Sequence, residues 1–237
     1  MNWLRDLFVR GKPALTPEQA WRLRAWRALP DTDPHRALEE MRWVVLDVES
    51  SGLDVRRDRL ISIGAVALRG AALPMADSFE VVLRQDQVSR TDNILVHGIG
   101  GTAQREGVAA ADALLDFLDY AGKAPLAAFH AAFDTIMIGR ALREFLGLKW
   151  TPRAIDLADA MPALFPGVKG CRQLDDWLAR FGIGHYARHQ ALSDAYSTAQ
   201  LLQVALVAAA AQGCRHWDDL AGLERAQRGL ARMRPVR

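Results

Sequence analysis

Cysteine is scarce in this chain, and long apolar runs are missing. Only Cys171 and Cys214 are cysteines among 237 residues, and neither belongs to a CxxC pair. This excludes a disulfide scaffold and a cysteine-rich zinc site, and it makes the reducing cytoplasm the expected compartment. The longest apolar run, residues 204–211, is far shorter than the roughly 20 residues that a membrane-spanning helix needs. Charges interrupt the apolar stretch at the start of the chain and no cleavage signal comes after it, so we expect no signal peptide.

A strong excess of one charge is also lacking. Lys and Arg number 30 against 28 Asp and Glu, which gives a formal net charge of +2. The whole molecule therefore does not bind phosphates by bulk charge, and any contact with nucleic acid must be local. With 50% hydrophobic and 24% charged residues, the composition is that of a soluble globular protein. The length fits one domain of about 150 to 200 residues with appended helices.

Residues 1–40 differ from the rest of the chain, because they hold three of the seven tryptophans and show no strand pattern. Thr16 is a good helix N-cap, with Pro17 at the first helical position and Gln19 closing a capping box. Pro30 ends this helix. The segment is therefore predicted to be a helical N-terminal extension of the main domain.

The extension carries apolar faces that need a partner. Trp21, Ala25 and Leu29 lie on one side of the predicted helix, opposite most of its arginines. A second stripe on a short helix before it consists of Trp3, Leu4, Leu7 and Phe8. Surfaces of this kind are rarely left in contact with water. We expect them to dock on the chain's own domain, and the alternative is a protein partner or a membrane surface.

After the extension, the pattern changes to strands and then to alternating strands and helices. Runs rich in Val, Ile and Leu predict three consecutive strands over residues 43–49, 60–68 and 79–83. Helices are predicted over 108–120 and 133–146, with a short buried strand over 125–129 between them. Three further helices are predicted over 156–164, 173–181 and 193–212, before an Arg-rich and weakly helical end. This order is typical of an α/β fold.

Two acids, Asp47 and Glu49, close the first predicted strand. Residues two apart on a strand point to the same side, so both carboxylates face one way. Adjacent charges at the end of a buried strand repel each other and lose hydration. They are tolerable only if they are protonated, paired with bases or neutralised by a metal ion. The alternative is a solvated strand end with no chemical role.

Two later segments bring further acids. Asp134 comes after an apolar strand where a helix begins, with His130 and Phe133 beside it. Its alternative role is that of a helix N-cap. Asp194 lies in the first turn of the last long helix, and His189 precedes it in the sequence HQALSD. The alternative here is an acid that stabilises the helix dipole together with a surface histidine.

The order of these residues resembles a known family. An Asp-x-Glu before a turn of small residues, an Asp after an apolar strand and a His-x4-Asp at a helix start are similar to the DEDDh subgroup of the DnaQ-like 3′-to-5′ exonucleases. The resemblance covers residues 42–212 and includes the sequences ISIGAVAL, VHGI and LDDWLARFGI. Within the family, the chain is most similar to the proofreading exonuclease (epsilon) subunit of bacterial DNA polymerase III.

This resemblance implies a ribonuclease H-like mixed sheet of five strands, three antiparallel followed by two parallel, flanked by helices. It divides the chain into a helical extension over 1–40, an exonuclease domain over 41–212 and a basic C-terminal tail over 213–237. The positions that match the family's metal-binding carboxylates are Asp47, Glu49, Asp134 and Asp194. Hard carboxylate oxygens suit two Mg²⁺ or Mn²⁺ ions. His189 matches the general base that takes a proton from the attacking water.

Substrate contacts are also implied by the resemblance. The turn after the first strand and the HGI segment hold the terminal nucleotide in the family, and the matching positions here are Ser50, Ser51, Gly52, Leu53 and His97. The two serines replace the family's usual pair of threonines. His130 and Phe133 are expected to line the same cleft, where a ring can stack on a base. For His97, the alternative is a helix-entry histidine without a ligand.

The predicted function is a 3′-to-5′ exonuclease that acts on single-stranded or frayed DNA ends and releases nucleoside 5′-monophosphates. Trimming of RNA by an enzyme of the same family and a non-catalytic scaffold that binds nucleic acid are the alternatives. The expected partners are single-stranded DNA 3′ ends, with RNA as the alternative, and a protein partner through residues 1–40. We expect a cytoplasmic protein without membrane contact.

Overall fold

The computed structural model describes residues 13–185, 187 and 189–233, and it contains a mixed sheet with helices on both faces. The strands are β1 (Arg42–Ser50), β2 (Leu60–Arg69), β3 (Ser78–Val82), β4 (Leu126–Ala128) and β5 (Ala154–Asp156). Their order across the sheet is β3-β2-β1-β4-β5. β2 is antiparallel to both β1 and β3, whereas β4 and β5 run parallel to β1. The predicted sheet of three antiparallel and two parallel strands is confirmed.

The helices occupy the connections before, between and after these strands. They are α1 (Pro17–Ala28), α2 (Thr91–His97), α3 (Gly101–Glu106), α4 (Ala110–Ala121), α5 (Ala131–Leu146), α6 (Leu157–Leu164), α7 (Leu174–Phe181), α8 (Ala191–Ala211) and α9 (Trp217–Met233). The helices and strands predicted from periodicity agree with these bounds to within two residues at each end. Periodicity did not predict α2, α3 and β5, which are short. In the described part of the chain, no helix has both the length and the apolarity to cross a membrane.

The central strand β1 separates two apolar layers. Val44, Leu46 and Val48 face the layer that contains α1, α4 and α5. Trp43 and Val45 face the opposite layer, formed with α6, α7, α8 and α9. Because side chains alternate along a strand, the odd-numbered residues of β1 point toward α8. The two acids at the end of β1 are odd-numbered and lie on this second side.

Helix α1 docks on the domain, but through a different face from the one predicted. Its N-terminus has the expected capping box between Thr16 and Gln19. The buried residues are Leu23 and Trp26, whereas Trp21 is 63% exposed.

The other two residues of the predicted face, Ala25 and Leu29, are also exposed. The prediction failed because it chose the docking face by apolarity alone, and Arg22 is not apolar. Arg22 lies against α4, where it forms ion pairs with Asp116 and Asp119. The second predicted stripe, from Trp3 to Phe8, lies outside the described residues.

The end of the chain forms the long helix α9. The ring of Trp217 stacks on that of Trp43 with centroids 5.6 Å apart, and Leu220 is fully buried. Residues 213–233 thus add to the second apolar layer, while residues 234–237 lie outside the described part. Cys214 and Cys171 are both free thiols, the first buried and the second half-buried. The division of the chain into extension, exonuclease domain and tail stays a prediction.

Candidate active site

The first two candidate residues, Asp47 and Glu49, lie side by side on β1 and face α8. Asp47 pairs with Gly64 of β2, and Glu49 pairs with Ser62. A Cβ atom at Gly64 would lie 2.2 Å from the backbone nitrogen of Leu192, which is too close for any side chain. The absence of a side chain at Gly64 therefore lets the first turn of α8 rest directly on the sheet, opposite Asp47.

This close approach brings Asp194 into the site. Asp194 lies in the first turn of α8, and the residue is only 7% exposed. Burial, together with the negative charges of Asp47 and Asp194, raises the pKa of Glu49 to about 8. The structure thus places these three predicted metal-binding carboxylates within electrostatic reach of one another.

Asp134 reaches the same edge from the other side of β1. It lies in the first turn of α5 and is 3% exposed, so the residue is almost completely buried. His130, not Asp134, is the N-cap of α5. Burial raises the pKa of Asp134, and the negative charge of Glu49 contributes to the increase. The backbone N–H groups of Asp134 and Val48 act to lower the pKa of the Asp134 carboxyl, but they do not outweigh its burial.

The four predicted carboxylates therefore converge from β1, α5 and α8 on one edge of the sheet. Their oxygen donors and their mutual repulsion fit hard divalent cations better than any other common ligand. The side-chain positions in this structure are nevertheless not those of a formed metal site. Among the described residues, no three His, Cys, Asp or Glu side chains are arranged to hold a metal ion. Assignment of the four residues as metal ligands accordingly stays a prediction.

The predicted base, His189, lies beside this cluster on an exposed segment. Its backbone adopts a left-handed conformation with φ of 57°, which is rare for a residue other than glycine. Its backbone N–H donates to Oδ2 of Asp194 at 3.0 Å. The side chain is exposed and hence accessible from solvent. The main chain, rather than the ring, ties His189 to the acids.

A second histidine, which the sequence analysis did not single out, approaches Asp194 with its ring. Nδ1 of His185 is 3.5 Å from Oδ1 of Asp194, and Nε2 is 2.9 Å from Oδ1 of Asp175. The sequence offered one indication that His185 could belong to the site, because it lies four residues before His189 in the same loop. Proximity alone does not distinguish a catalytic histidine from one that fixes the start of α8.

The predicted substrate turn is held in shape by Asp58. Its carboxylate accepts hydrogen bonds from the hydroxyl of Ser51 at 2.9 Å and from the backbone of Asp54 at 2.8 Å. A Cβ atom at Gly52 would lie 2.5 Å from this carboxylate, so glycine keeps the turn closed. Leu53 at its tip is 87% exposed, as contact with a base would require.

Two further contacts support this turn from neighbouring elements. Ser50 donates from its hydroxyl to the carbonyl of Gly52 at 2.7 Å. Arg140 of α5 donates to the carbonyls of Val55 and Asp58. The helix that carries Asp134 is therefore linked directly to the turn that carries Leu53.

His97 is buried at the C-terminal end of α2, and not at a helix entry. Its Nδ1 accepts a hydrogen bond from the backbone N–H of Ile99 at 2.9 Å. Nε2 is therefore the protonated nitrogen, and it donates to Oδ1 of Asn93 at 3.0 Å. Asn93 in turn donates to the carbonyl of Ser50 at 3.0 Å. These contacts orient the substrate turn, and direct contact between His97 and a nucleotide stays a prediction.

A fifth acid, Asp156, was missed because β5 is only three residues long and looked like the start of a helix. Its carboxylate accepts from the backbone of Ala158 at 3.0 Å, which caps α6, and from that of His130 at 2.9 Å. It thus fixes the start of α5 and, with it, Asp134. His130 is exposed at the N-cap of α5, and the half-buried Phe133 lies in the first turn beside Asp134. Stacking of either ring on a base stays a prediction.

Known proteins are similar to this chain in sequence. Residues 44–202 match the model of the exonuclease family RNase_T. DNA polymerase III PolC-type from Bacillus subtilis is 30% identical over 187 residues, which cover 78% of this chain and 13% of that protein. The PolC-type polymerase of Thermotoga maritima is 27% identical over 159 residues, or 67% of this chain and 11% of that protein. The chain thus spans only about an eighth of these relatives' length.

Solved structures agree on the fold. E. coli Exonuclease I in complex with a dT13 oligonucleotide superimposes with a TM-score of 0.61 at 18% identity, covering 73% of this chain and 42% of that one. A zinc-bound complex of the same enzyme with single-stranded DNA has a TM-score of 0.59 at 20% identity, covering 71% and 40%. Divalent metal ions are generally used in this family. Because the matched region exceeds half of the chain and contains all the predicted acids, the chain belongs to the exonuclease family, with relatives among PolC-type DNA polymerases.

Proposed function

We propose that this chain is a divalent-metal-dependent 3′-to-5′ exonuclease that hydrolyses single-stranded or frayed DNA from its 3′ end and releases nucleoside 5′-monophosphates. The observation that supports this most is the convergence of Asp47, Glu49, Asp134 and Asp194 on one sheet edge. Burying several carboxylates together costs free energy unless a cation compensates for them. Selection for a cation site explains an arrangement that packing alone would disfavour.

The four carboxylates would hold two Mg²⁺ or Mn²⁺ ions. Such ions stabilise negative charge on the attacked phosphate and on the leaving 3′ oxygen. The protein's own contribution is to fix the ligands. Asp47 and Glu49 share a rigid strand, Gly64 sets the approach of α8, and Asp156 holds the start of α5.

His189 would accept the proton of the attacking water. A histidine does this only in its neutral form, with one ring nitrogen free to accept. The exposed ring of His189 lies on a loop whose main chain is already bound to Asp194. Because the main chain makes the hydrogen bond to Asp194, rotation of the His189 side chain would leave that bond intact.

DNA is the preferred substrate because the solved neighbours named above are complexes with DNA oligonucleotides, and because the relatives are DNA polymerases. The exposed Leu53 and the buttressed turn around Gly52 would hold the terminal nucleotide. RNA remains the alternative substrate, and matched oligonucleotides separate the two.

The direct test uses single-stranded DNA and RNA of the same sequence, labelled at either end, with Mg²⁺, Mn²⁺ or excess EDTA. A 3′ label should appear at once as a mononucleotide, a 5′ label should give a descending ladder, and EDTA should abolish both. Asp47→Asn should lose nearly all turnover and keep its fold. Asp218→Asn, at an exposed position on α9, is the matched control and should keep the rate. Full cleavage in EDTA, or a normal rate for Asp47→Asn, contradicts the proposal.

The role of His189 is tested against that of His185. His189→Ala should slow single-turnover chemistry by about 10² to 10⁴ and keep most of the affinity for DNA, since general bases contribute about this much. His185→Ala is the comparison. If His185→Ala alone loses the chemical step, or if His189→Ala weakens binding only, His189 is not the base.

A further inference from the structure

A cavity of about 460 Å³ lies at the opposite edge of the sheet from the acids. We call it the second cavity, to distinguish it from the acidic site. The buried core residues Leu118, Leu126 and Leu148 lie beneath it, and most of its accessible surface is polar. Val44 of β1 pairs with Leu126, and Glu49 lies five residues further along β1. At about 3.3 Å per residue, the cavity is roughly 17 Å from the acidic edge.

Four cationic side chains line this cavity: Arg27, Lys123, Lys149 and Arg153. Asp31 is the one acid among the described residues that line it. In the described part of the chain, no carboxylate forms an ion pair with any of these four cations. Arg22, on the same helix as Arg27, instead pairs with Asp116 and Asp119 outside the cavity. The chain therefore neutralises one cation of α1, whereas the four cations around the cavity outnumber Asp31, the one described acid that lines it.

The walls of the cavity are fixed by specific contacts. Thr32 donates from its hydroxyl to the carbonyl of Lys123 at 2.7 Å, and Arg153 donates to the carbonyl of Thr32 at 2.9 Å. The indole of Trp26 donates to the carbonyl of Gly122 at 2.9 Å. The segment after α1, the end of α4 and the start of β5 are thus held together, and the cavity is part of the folded structure.

Both aromatic rings at the cavity already make contacts within the chain. The ammonium group of Lys123 lies 3.5 Å from the centroid of the Trp26 ring. Trp150 packs its ring edge-on against Phe117, with centroids 6.0 Å apart. A ligand is therefore held by charge rather than by its base. Lys and Arg side chains without base contacts are typical of binding to phosphates that ignores sequence.

We propose that this cavity binds a chain of phosphate groups, either the phosphodiester backbone of a nucleic-acid strand or the polyphosphate of a free nucleotide. Clustered like charges repel one another, and a multiply charged anion relieves that repulsion. The site is distinct from the acidic edge, which repels phosphates when no cation is bound. A strand cleaved at its 3′ end could bind here only with nucleotides well upstream of that end.

The test uses the full chain in EDTA, so that binding is measured without cleavage and independently of the proposed nuclease activity. The variant Arg27→Gln/Lys149→Gln removes two exposed cations of the cavity. The matched control, Arg24→Gln/Arg143→Gln, removes the same charge at exposed positions elsewhere. The probes are a fluorescent 20-nucleotide oligothymidylate, titrated over a range of salt concentrations, and inorganic tripolyphosphate, followed by calorimetry.

The slope of log K against log salt is negative, and each contact on a single strand contributes about 0.7 to its magnitude. Loss of two phosphate contacts should therefore make the slope shallower by about 1.4. If this happens for the cavity variant and not for the control, the ligand is a nucleic-acid strand. If only the tripolyphosphate affinity falls, the ligand is a free polyphosphate. If the cavity variant binds both probes like the control, the proposal is wrong. Melting temperatures of both variants verify that the fold is intact.

Discussion

At the scale of single residues, Glu49 is one of the site's acids whose negative charge is disfavoured in the folded state. It is partly buried between two other acids, and its pKa rises from 4.5 to about 8 when no cation is present. A carboxyl group whose pKa is raised in the folded state keeps its proton there after the unfolded chain has lost it. The folded state thus binds more protons between these two values, so stability falls as pH rises through this window.

We therefore expect the free energy of unfolding, measured in EDTA, to decrease between pH 5 and pH 8. For one group the slope is at most about 1.4 kcal/mol per pH unit. Glu49→Gln should flatten this dependence and melt higher than the wild type at pH 8. Glu106→Gln, an exposed glutamate on α3, is the control and should not change the slope.

Addition of Mg²⁺ at pH 8 should raise the melting temperature of the wild type, because the cation binds the folded state only. Glu49→Gln should respond less. A wild-type stability in EDTA that rises from pH 5 to pH 8, with the same slope in Glu49→Gln, would show that the acids do not repel each other as the structure indicates.

Which of these residues the sequence could predict depends on how local their geometry is. The shared side of Asp47 and Glu49 results from the two-residue period of a strand and needs no tertiary information. The positions of Asp156 and His185 depend on contacts with residues far along the chain, namely His130 and Asp175. The burial of His97 likewise depends on the loop after α2. Such residues are recognised only once the fold is known.

At the scale of elements, the contact between α8 and β2 sets the geometry of the site. The helix starts directly above Gly64, and a Cβ atom there would meet backbone atoms of Ala191 and Leu192 at 2.3 and 2.2 Å. Backbone atoms of a helix cannot rotate away as a flexible side chain can. Any larger residue must push the whole first turn of α8 away from the sheet.

Gly64→Ala should therefore move Asp194 away from Asp47 and weaken both metal binding and turnover. It should also lower the melting temperature. Gly139→Ala in α5 is the matched control, because a Cβ atom there meets nothing within 4 Å. This control should gain up to about 1 kcal/mol of stability, since alanine favours a helix. Equal activity and stability of the two variants would exclude the proposed spacing role of Gly64.

The elements themselves were predictable where their apolar pattern was long. The strands β1 and β2 and the helices α4, α5 and α8 have regular patterns over nine or more residues. α3 has only six residues, too few to show a helical period. β4 and β5 have three residues each, but only β4 lies in a longer apolar run, residues 125–129, that made it recognisable. The face of α1 was predicted wrongly for another reason. An ion-paired arginine belongs to its buried side, and apolarity alone does not reveal this.

At the scale of the whole molecule, charge is distributed between opposite ends of one sheet. The acids gather where β1, β4 and β5 end, and the cations of the second cavity gather where β4 and β5 begin. A net charge of +2 conceals this separation. Composition therefore predicted that contact with phosphates must be local, but it could not say where.

The two faces of helix α1 have different roles. One face packs on the domain, and the other is open to a partner. The helix lies on α4 through Leu23 and Trp26, and it supplies Arg27 to the second cavity. Trp21 remains 63% exposed on its outer side. The inner face is thus committed to this chain, and the outer face is the part that a protein partner could contact.

The two tryptophans of α1 give a matched test of this assignment. Trp26→Ala should destabilise the whole chain by about 3 to 5 kcal/mol, the usual cost of removing a buried aromatic ring. It also removes the hydrogen bond from the indole to Gly122. Trp21→Ala should leave thermal unfolding unchanged. A chain that begins at Glu39 should behave like Trp26→Ala, with a lower melting temperature or aggregation, while any remaining folded protein keeps its cleavage polarity. If Trp26→Ala and the shortened chain both melt like the wild type, α1 is a separate interaction module, and the sheet with α4 to α9 is stable without it.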